Sequence, residues 1–239
     1  TPTYALRLPE TAKQAGIDLG GHALRAIIVA GETGGSVPAY RERVAQAWGK
    51  ELKIYDHYGM TEVGPVAFET PGEQGGLRVI LDSYFAEVID PGTKVPSSDG
   101  EGELVLTTLG RMGCPLFRYR TGDLVRAESG TDERGLPTLD LGGGILGRSD
   151  DMIVVRGVNV YPSSVDAIVR RFEEVSEYQV IHEKKGEMSE VSLRVEAPES
   201  VAQALEIALR EAFSLRIPVD RAQPNSLPRF EMKARRWLT

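Results

Sequence analysis

A tyrosine, a threonine and a glutamate lie within five residues of one another in the stretch Tyr55-Asp56-His57-Tyr58-Gly59-Met60-Thr61-Glu62. An aromatic ring can stack on a base, a hydroxyl can bond a phosphate, and a carboxylate can hold a divalent cation. A strand over residues 51–55 that ends in a glycine turn would deliver these three groups together. The stretch therefore predicts a nucleotide contact, although a solvated loop after a strand would carry the same residue types.

The composition limits the class of protein. The chain has 239 residues, of which 41% are hydrophobic and 26% are charged, as in a globular protein of one large or two smaller domains. Its net charge of −7 argues against nucleic acid as the main partner, because phosphate backbones are held by excess positive charge. No apolar run approaches the ~20 residues of a membrane span, so we expect no membrane contact. The single cysteine, Cys114, favours a reducing cytoplasm, and we expect it to be a small buried residue.

The elements that must position the opening stretch form a predicted β–loop–α–β unit. Residues 24–30 are a short apolar run that predicts a strand buried on both faces. A glycine-rich loop over residues 31–35 follows, and Ser36 is expected to cap a helix that ends at Gly49. Two parallel strands of such a unit end at the same edge of the sheet, which is where open α/β sheets bind ligands. The glycine-rich loop is compatible with a ligand loop and equally with a flexible connection.

The rest of the chain predicts two further regions. Alternating apolar residues between turn signals predict antiparallel strands in a meander or small barrel over residues 74–147. Within them, Thr121-Gly122-Asp123 presents a carboxylate that could accept hydrogen bonds from two vicinal hydroxyls of a ribose, or stand in an internal ion pair. Residues 148–151 are polar and predict a hinge. Residues 152–239 read as a small α+β domain in the order β, α, β, β, α, β, with a basic tail.

The expected fold class is therefore α/β plus α+β. Residues 1–73 contain a parallel α/β unit, residues 74–147 are an antiparallel, barrel-like subdomain, and residues 152–239 are a small α+β domain beyond the hinge. The basic tail is compatible with a solvated end, an electrostatic patch, or groups that neutralise a phosphate or carboxylate.

Taken together and in order, these motifs resemble those of a known superfamily. They are Tyr58-Gly59-Met60-Thr61-Glu62, Tyr119-Arg120-Thr121-Gly122-Asp123, Gly147-Arg148-Ser149-Asp150-Asp151, Arg156-Gly157-Val158-Asn159-Val160-Tyr161-Pro162, and a lysine near the end. The set is similar to that of the adenylate-forming acyl-CoA synthetases, and most similar to the phenylacetate–CoA ligase branch. One such motif is a weak signal, whereas four in the right order and spacing are a strong one.

The resemblance implies a role for each matched residue. It implies a nucleotide-binding set, which consists of Gly31 and Glu32 along the adenine, Asp56 at its amino group, His57, Tyr58 stacked near the base, Gly59, Met60, Thr61 at the α-phosphate, Asp123 at the ribose, and Arg148 at the ribose or a phosphate. It also implies a catalytic and conformational set, which consists of Thr61, Glu62 as the Mg²⁺ ligand, Asp150 at the hinge, Gly157 at the thiol tunnel, and Lys233 as the catalytic lysine of adenylation.

The activity that the resemblance implies is an ATP-dependent ligation of an aryl or arylacetic acid to coenzyme A through an acyl-AMP intermediate. The expected ligands are ATP or AMP, Mg²⁺ and CoA, and no zinc is expected because residues 124–146 contain no cysteine. The resemblance also implies that residues 1–73 are the C-terminal part of a large α/β nucleotide-binding domain and that residues 152–239 are a lid. The phosphate loop of the family is not in this sequence, so three interpretations stay open, namely a fragment, one half of a split enzyme and a truncated product. The partners considered are a second copy of the chain and a chain that supplies the N-terminal region. Two alternatives stay open, namely a non-catalytic or partner-dependent AMP/ATP-binding module and an adenylating enzyme that loads a carrier protein.

Overall fold

The structure is a computed structural model that describes residues 1–19, 22–32, 34–49, 51–72, 75–185, 188–230 and 234–238. The chain forms two units, Thr1–Asp150 and Asp151–Thr239. None of the helices in the described ranges is long and apolar enough to cross a membrane.

The first unit combines a short parallel pair of strands with antiparallel strands. Its described elements are α1 (Pro2–Gln14), β1 (Ala26–Val29), α2 (Pro38–Trp48), β2 (Lys53–Met60), β3 (Gly64–Phe68), β4 (Gly76–Val79), β5 (Tyr84–Ile89), β6 (Glu101–Thr108), β7 (Tyr119–Thr131), β8 (Pro137–Gly142) and β9 (Gly147–Arg148). They form one sheet in the order β1-β2-β3-β4-β8-β7-β6-β5, with β9 paired to β7. Among the described residues this path is open, so the barrel-like subdomain is instead a continuation of the same sheet.

The parallel pair confirms the predicted β–α–β unit. Strand β1 pairs with β2 in parallel, with Val29 opposite Asp56. Helix α2 buries Tyr40 and Val44 in the same apolar cluster as Val29, and burying side chains of this size contributes roughly 1.5–3 kcal/mol each. The expectation that β1 is buried on both faces was wrong, because Ile28 is 73% exposed.

Three local expectations differ from the structure. The strand that was expected to end at Tyr55 runs on to Met60, because antiparallel pairing with β3 continues the ladder, with a register shift between Tyr58 and Gly59. Ser36 does not cap α2, whose N-cap is Val37 without a side-chain bond, because the Ser36 hydroxyl donates to a carboxylate of β2 instead. Cys114 is exposed rather than buried.

The second unit is the small α+β domain that the sequence predicted. Its described elements are β10 (Ile153–Val155), β11 (Val158–Val160), α3 (Pro162–Val169), β12 (Glu177–Lys185), β13 (Met188–Glu196), α4 (Glu199–Phe213), β14 (Val219–Arg221) and β15 (Trp237–Leu238). A sheet in the order β14-β13-β12-β15 shares a core with α3 and α4. Strands β10 and β11 form a separate hairpin. The predicted order β, α, β, β, α, β did not include β11 or β15. The expected fold class, α/β plus α+β, is confirmed.

Candidate nucleotide-binding site

The loop after β1 returns to β2 through a buried hydrogen bond. The Ser36 hydroxyl donates to Asp56 Oδ2 at 2.6 Å, and the His57 backbone N–H donates to Asp56 Oδ1 at 2.9 Å. A Cβ on Gly35 would overlap the Asp56 carboxyl group, so no side chain fits at that position. The glycine-rich loop is therefore held against β2 at its far end, which disfavours the alternative of a merely flexible connection.

Asp56 is a buried carboxylate with partners on both oxygens. Burial raises its pKa, while the hydrogen bonds from Ser36 and His57 and the charge of Arg41 oppose that rise. A nearby ion pair between Arg41 and Glu69 belongs to the same network, and Glu69 Oε2 accepts the backbone N–H of Asp56 at 2.8 Å. Each carboxylate oxygen has more than one acceptor position, so a contact from Asp56 to an adenine amino group stays a prediction.

Tyr58, Asp123 and Arg148 form one hydrogen-bonded chain across three strands. The Tyr58 hydroxyl donates to Asp123 Oδ2 at 2.6 Å, and Arg148 Nη1 donates to Asp123 Oδ1 at 3.3 Å. Tyr58 and Asp123 are both buried, and they lie 65 residues apart in the sequence. Burial and the charge of Asp123 raise the pKa of Tyr58 far above its ordinary value, so the hydroxyl stays protonated and donates. The geometry brings together three of the residues that the sequence nominated for the nucleotide.

The local structure of β7 fixes the Asp123 carboxylate. The Thr121 hydroxyl accepts the Asp123 backbone N–H at 3.0 Å and donates to the Leu104 carbonyl at 2.8 Å. Gly122 has φ +75°, which favours glycine, and a Cβ there would lie 2.6 Å from Arg148 Nη2 and displace the guanidinium. Burial raises the pKa of Asp123, and its bonds to Tyr58 and Arg148 favour the ionised form against that burial. Asp123 therefore stands in the internal ion pair that was one of its two interpretations, with acceptor positions left on both oxygens.

Arg148 also contacts the predicted hinge residue. Its Nε and Nη2 atoms donate to Asp150 Oδ1 and Oδ2 at 2.8 and 3.0 Å, a bidentate pair. The hydrogen bonds from Arg148 lower the pKa of Asp150. One guanidinium thus joins the carboxylate nominated for the ribose to the carboxylate nominated for the hinge.

The turn after β2 presents Thr61 and Glu62 to solvent. Its backbone is held from two sides, because the Tyr84 hydroxyl donates to the Val63 carbonyl at 2.7 Å and Arg111 Nη1 donates to the Glu62 carbonyl at 2.5 Å. The Thr61 and Glu62 side chains are exposed. A single exposed carboxylate on a fixed turn fits Mg²⁺, which proteins usually hold through one or two carboxylates and the substrate's phosphates. The described residues contain no group of three or more potential metal ligands.

The remaining nominated residues of the first unit lie in different settings. Gly31 has φ +86° at the start of the loop, and Glu32 Oε2 accepts the Thr3 backbone N–H at 3.0 Å. Met60 ends β2, and Gly59 has no room for a side chain, because a Cβ would lie 2.8 Å from the Gly64 carbonyl oxygen.

Gly157 and Lys233 belong to the second unit. Gly157, with φ +84°, forms the two-residue turn of the β10–β11 hairpin with Arg156, which has φ +49°. Positive φ at both positions is typical of a type I′ turn. Lys233 lies outside the described residues. Sequence reasoning missed Tyr84, Arg111 and the Ser36–Asp56 bond, because no local pattern marks contacts over 20 to 49 residues.

Comparison with known proteins shows which families the chain resembles. Residues 157–238 match the family of AMP-binding enzyme C-terminal domains. The chain is 34% identical to the phenylacetate-coenzyme A ligase of Escherichia coli (strain K12) over 98% of this chain and 55% of that protein. It is 36% identical to the phenylacetate-coenzyme A ligase of Thermus thermophilus over 83% of this chain and 44% of that protein.

A solved structure agrees with these relatives. The crystal structure of a 2-hydroxyisobutyryl-CoA ligase in the postadenylation state, in complex with R3-HIB-AMP, matches 100% of this chain and 53% of its own, with a TM-score of 0.89 and 30% identity. The chain spans about half the length of these relatives. Residues 157–238 therefore match the AMP-binding enzyme C-terminal domain family, and over nearly its whole length the chain is similar to about half of a phenylacetate-coenzyme A ligase.

Proposed function

We propose that the intact gene product is an ATP-dependent carboxylic acid–CoA ligase that acts on an aryl or arylacetic acid. The observation that carries this proposal is the hydrogen-bonded chain of Tyr58, Asp123 and Arg148 near a fixed turn with exposed Thr61 and Glu62. The named activity of the relatives supports it. Because the chain spans about half of those relatives, the activity of the whole protein is a proposal.

The ribose and base would lie against the Tyr58–Asp123 pair. Each oxygen of the Asp123 carboxylate accepts a hydrogen bond from the protein, and each has acceptor capacity for one ribose hydroxyl. Arg148 favours the ionised form of this carboxylate against the burial that raises its pKa, and an ionised acceptor bonds hydroxyls about twice as strongly as a neutral one. The hydroxyl bond holds the Tyr58 ring in place, and on our proposal the part of this mostly buried ring that stays accessible would contact the adenine.

In the first step, a carboxylate oxygen of the acid attacks the α-phosphorus of ATP. The new O–P bond forms as the bond from the α-phosphorus to the bridging oxygen of the β-phosphate breaks, and pyrophosphate leaves. Negative charge grows on the α-phosphate oxygens, where the Thr61 hydroxyl would donate and the Lys233 ammonium would compensate charge. Glu62 would hold Mg²⁺, which when bound supplies charge neutralisation and orientation of the phosphates.

In the second step, the thiol of CoA attacks the acyl carbonyl carbon and AMP leaves with the bonding electrons of the acyl–oxygen bond, while the thiol proton passes to solvent. Gly157 would border the path of the thiol. A side chain at that position would be strained by φ +84°, so the hairpin turn stays narrow. Asp150 would absorb the change in backbone angles between the two steps.

Pyrophosphate release tests the proposal. The intact gene product is incubated with ATP, Mg²⁺ and a panel of aryl and arylacetic acids, and thioester formation is followed after addition of CoA or of a phosphopantetheinylated carrier protein. We expect Lys233→Ala to abolish pyrophosphate release and to keep most thioester formation from a supplied acyl-adenylate. An unchanged rate of adenylation in Lys233→Ala would refute the assigned role.

Calorimetry separates the partner-dependent alternative. A binding module that needs a partner would bind AMP or ATP without releasing pyrophosphate. Addition of a second chain that carries the phosphate loop would then restore pyrophosphate release. Turnover by the chain alone would exclude that alternative. A rate with the carrier protein that exceeds the rate with CoA would reassign the acceptor.

A further inference from the structure

A guanidinium group lies at the turn that carries Thr61 and Glu62. Arg111 Nη1 donates to the Glu62 carbonyl at 2.5 Å, although the two residues are 49 positions apart in the sequence. Burial raises the pKa of the nearby Tyr84 hydroxyl, and the positive charge of Arg111 opposes that rise. The Tyr84 hydroxyl donates to the Val63 carbonyl at 2.7 Å, one residue further along the chain. The Arg111 side chain therefore reaches the backbone of the turn at Glu62 and Val63.

Arg111 belongs to the connection between β6 and β7, a loop that projects into solvent. The loop is closed at its base, where the Thr108 backbone N–H donates to the Leu116 carbonyl at 3.0 Å and the Leu116 backbone N–H donates to the Thr108 hydroxyl at 3.0 Å. Every residue from 109 to 115 is exposed, and Met112 is 92% exposed. The loop thus has a fixed base and an exposed tip, and the Arg111 side chain links that tip to the turn.

The fold does not neutralise the charge of Arg111 with a carboxylate. At the other end of the same loop, Arg118 Nε donates to Glu87 Oε2 at 3.0 Å. Within the part of the chain that the structure describes, Arg111 has no such ion pair, and the bond to the Glu62 carbonyl uses one of its several N–H donors. The Glu62 carboxylate has no ion-pair partner there either. A cation and an anion that meet at one turn without pairing leave both charges available to a ligand.

This arrangement of charges matches the complex of a nucleoside triphosphate with Mg²⁺. On the proposed function, Glu62 holds the metal and the Thr61 hydroxyl donates to the α-phosphate. A triphosphate carries more negative charge than one Mg²⁺ neutralises, and arginine bonds phosphate oxygens through charge-assisted hydrogen bonds. We propose that Arg111 is a phosphate-binding residue, which contacts the phosphates of ATP beyond the α-phosphate, beside the metal at Glu62. The inference rests on the proposed function for the position of the nucleotide.

A phosphate contact differs from a purely structural role in the ligand that it affects. AMP lacks the β- and γ-phosphates, so a contact with them strengthens the binding of ATP and not that of AMP. A brace for the turn would position Thr61 as well, so its loss would weaken both nucleotides alike. Arg111→Gln in the intact gene product separates these cases, because glutamine keeps an N–H donor for the Glu62 carbonyl and lacks the charge.

Calorimetry with Mg²⁺, in the absence of an acid substrate, measures the affinities for ATP and AMP. We expect Arg111→Gln to weaken ATP binding at least tenfold and to leave AMP binding within twofold of wild type. Arg111→Lys keeps the charge, so it should lose less ATP affinity than Arg111→Gln. Raising the salt concentration should reduce the difference between wild type and Arg111→Gln, because salt screens exposed charges.

The matched control is Arg118→Gln. Arg118 lies on the same loop and its side chain is 60% exposed, but it already has a carboxylate partner in Glu87. Neither nucleotide affinity should change by more than twofold in this variant.

Two outcomes would overturn the assignment of Arg111. One is an unchanged affinity for ATP in Arg111→Gln, and the other is an equal loss of affinity for ATP and AMP. Failure of the proposed function gives a different result. A wild-type protein that binds ATP but releases no pyrophosphate with any acid would refute the ligase and leave the comparison of ATP with AMP intact, whereas a wild-type protein that binds no ATP would overturn both.

Discussion

Replacing Tyr58 by phenylalanine tests the central pair of the candidate site with the loss of one oxygen atom. The Tyr58 hydroxyl donates to Asp123 Oδ2 at 2.6 Å, and the exposed fractions of the two residues are 9% and 8%. The aromatic ring stays, so its packing and its face for stacking stay as well. The change removes the hydroxyl that donates a hydrogen bond to Oδ2 of the buried Asp123 carboxylate.

The expected loss of stability follows from the charge on the acceptor. A hydrogen bond to a charged group contributes about 1.5–3 kcal/mol, against about 0.5–1.5 kcal/mol for a neutral one. We expect Tyr58→Phe to lower the free energy of unfolding of the first unit by about 2 kcal/mol, which is roughly a 30-fold change in the folded-to-unfolded ratio. The matched control is Tyr84→Phe, because Tyr84 is buried in the same core but donates to a neutral acceptor, the Val63 carbonyl, at 2.7 Å. We expect about 1 kcal/mol for the control.

Nucleotide binding gives a second assay of the same change. The hydrogen bond from Tyr58 helps to keep Asp123 ionised against a burial that raises its pKa, so the pKa of Asp123 should rise further in the variant. We expect AMP affinity, measured by calorimetry, to fall by up to about tenfold, and to fall more at low pH than at high pH, because the variant lacks a bond that favours the ionised form of Asp123. Urea unfolding of both variants measures the stabilities. A loss in Tyr84→Phe that equals or exceeds the loss in Tyr58→Phe would refute the reasoning from charge.

Two further predictions concern a close approach and an acid-sensitive pair. Gly59→Ala should lower the free energy of unfolding by about 1–3 kcal/mol in a denaturant titration, because the new Cβ would lie 2.8 Å from the Gly64 carbonyl oxygen. The control Gly110→Ala should leave it unchanged, because no atom lies within 4 Å of a Cβ at that position. Glu196→Gln should lower the stability of the second unit by about 3 kcal/mol above pH 4.5, because Arg229 then loses its counter-charge. The pKa of Glu196 is lowered from 4.5 to about 2 in the folded protein. The difference in free energy of unfolding between wild type and Glu196→Gln should therefore shrink as the pH falls from 4.5 to about 2. A constant difference between pH 6 and pH 2.5 would contradict the second prediction.

The sequence predicted those parts of the fold that depend on short-range patterns. Strand β1, helix α2 and strand β2 follow one another within about 35 residues, and the rule for crossover connections then requires the two strands to be parallel. The end of β2 could not be predicted in this way. Its last residues are strand because β3 pairs with them, and a glycine before a turn looks the same whether or not such a partner exists.

The candidate site shows the same division between local and distant contacts. The residue types at Tyr58, Thr61 and Glu62 were enough to predict a nucleotide contact, whereas Asp123 was assigned to the ribose by the family resemblance. The bond from Tyr58 to Asp123 joins positions 65 residues apart, and no pattern near either residue predicts it. The two interpretations of Asp123 turned out to be compatible, because a carboxylate with two oxygens can hold an internal partner on each and still accept from a ribose hydroxyl.

The basic tail shows why charge alone was ambiguous. The sequence alone was compatible with a solvated patch and with groups that neutralise a phosphate or carboxylate. The four basic residues of the tail are Arg229, Lys233, Arg235 and Arg236. Two of these residues are engaged in ion pairs, Arg229 with Glu196 and Arg236 with Glu177. The two glutamates are buried and lie opposite each other on neighbouring strands, so each needs a cation that can reach the sheet. Arginine suits this task, since its planar fork bonds a carboxylate through two atoms and stays charged when buried. The tail therefore divides its charges, with the arginines at positions 229 and 236 engaged in the fold and Lys233, on our proposal, assigned to the chemistry.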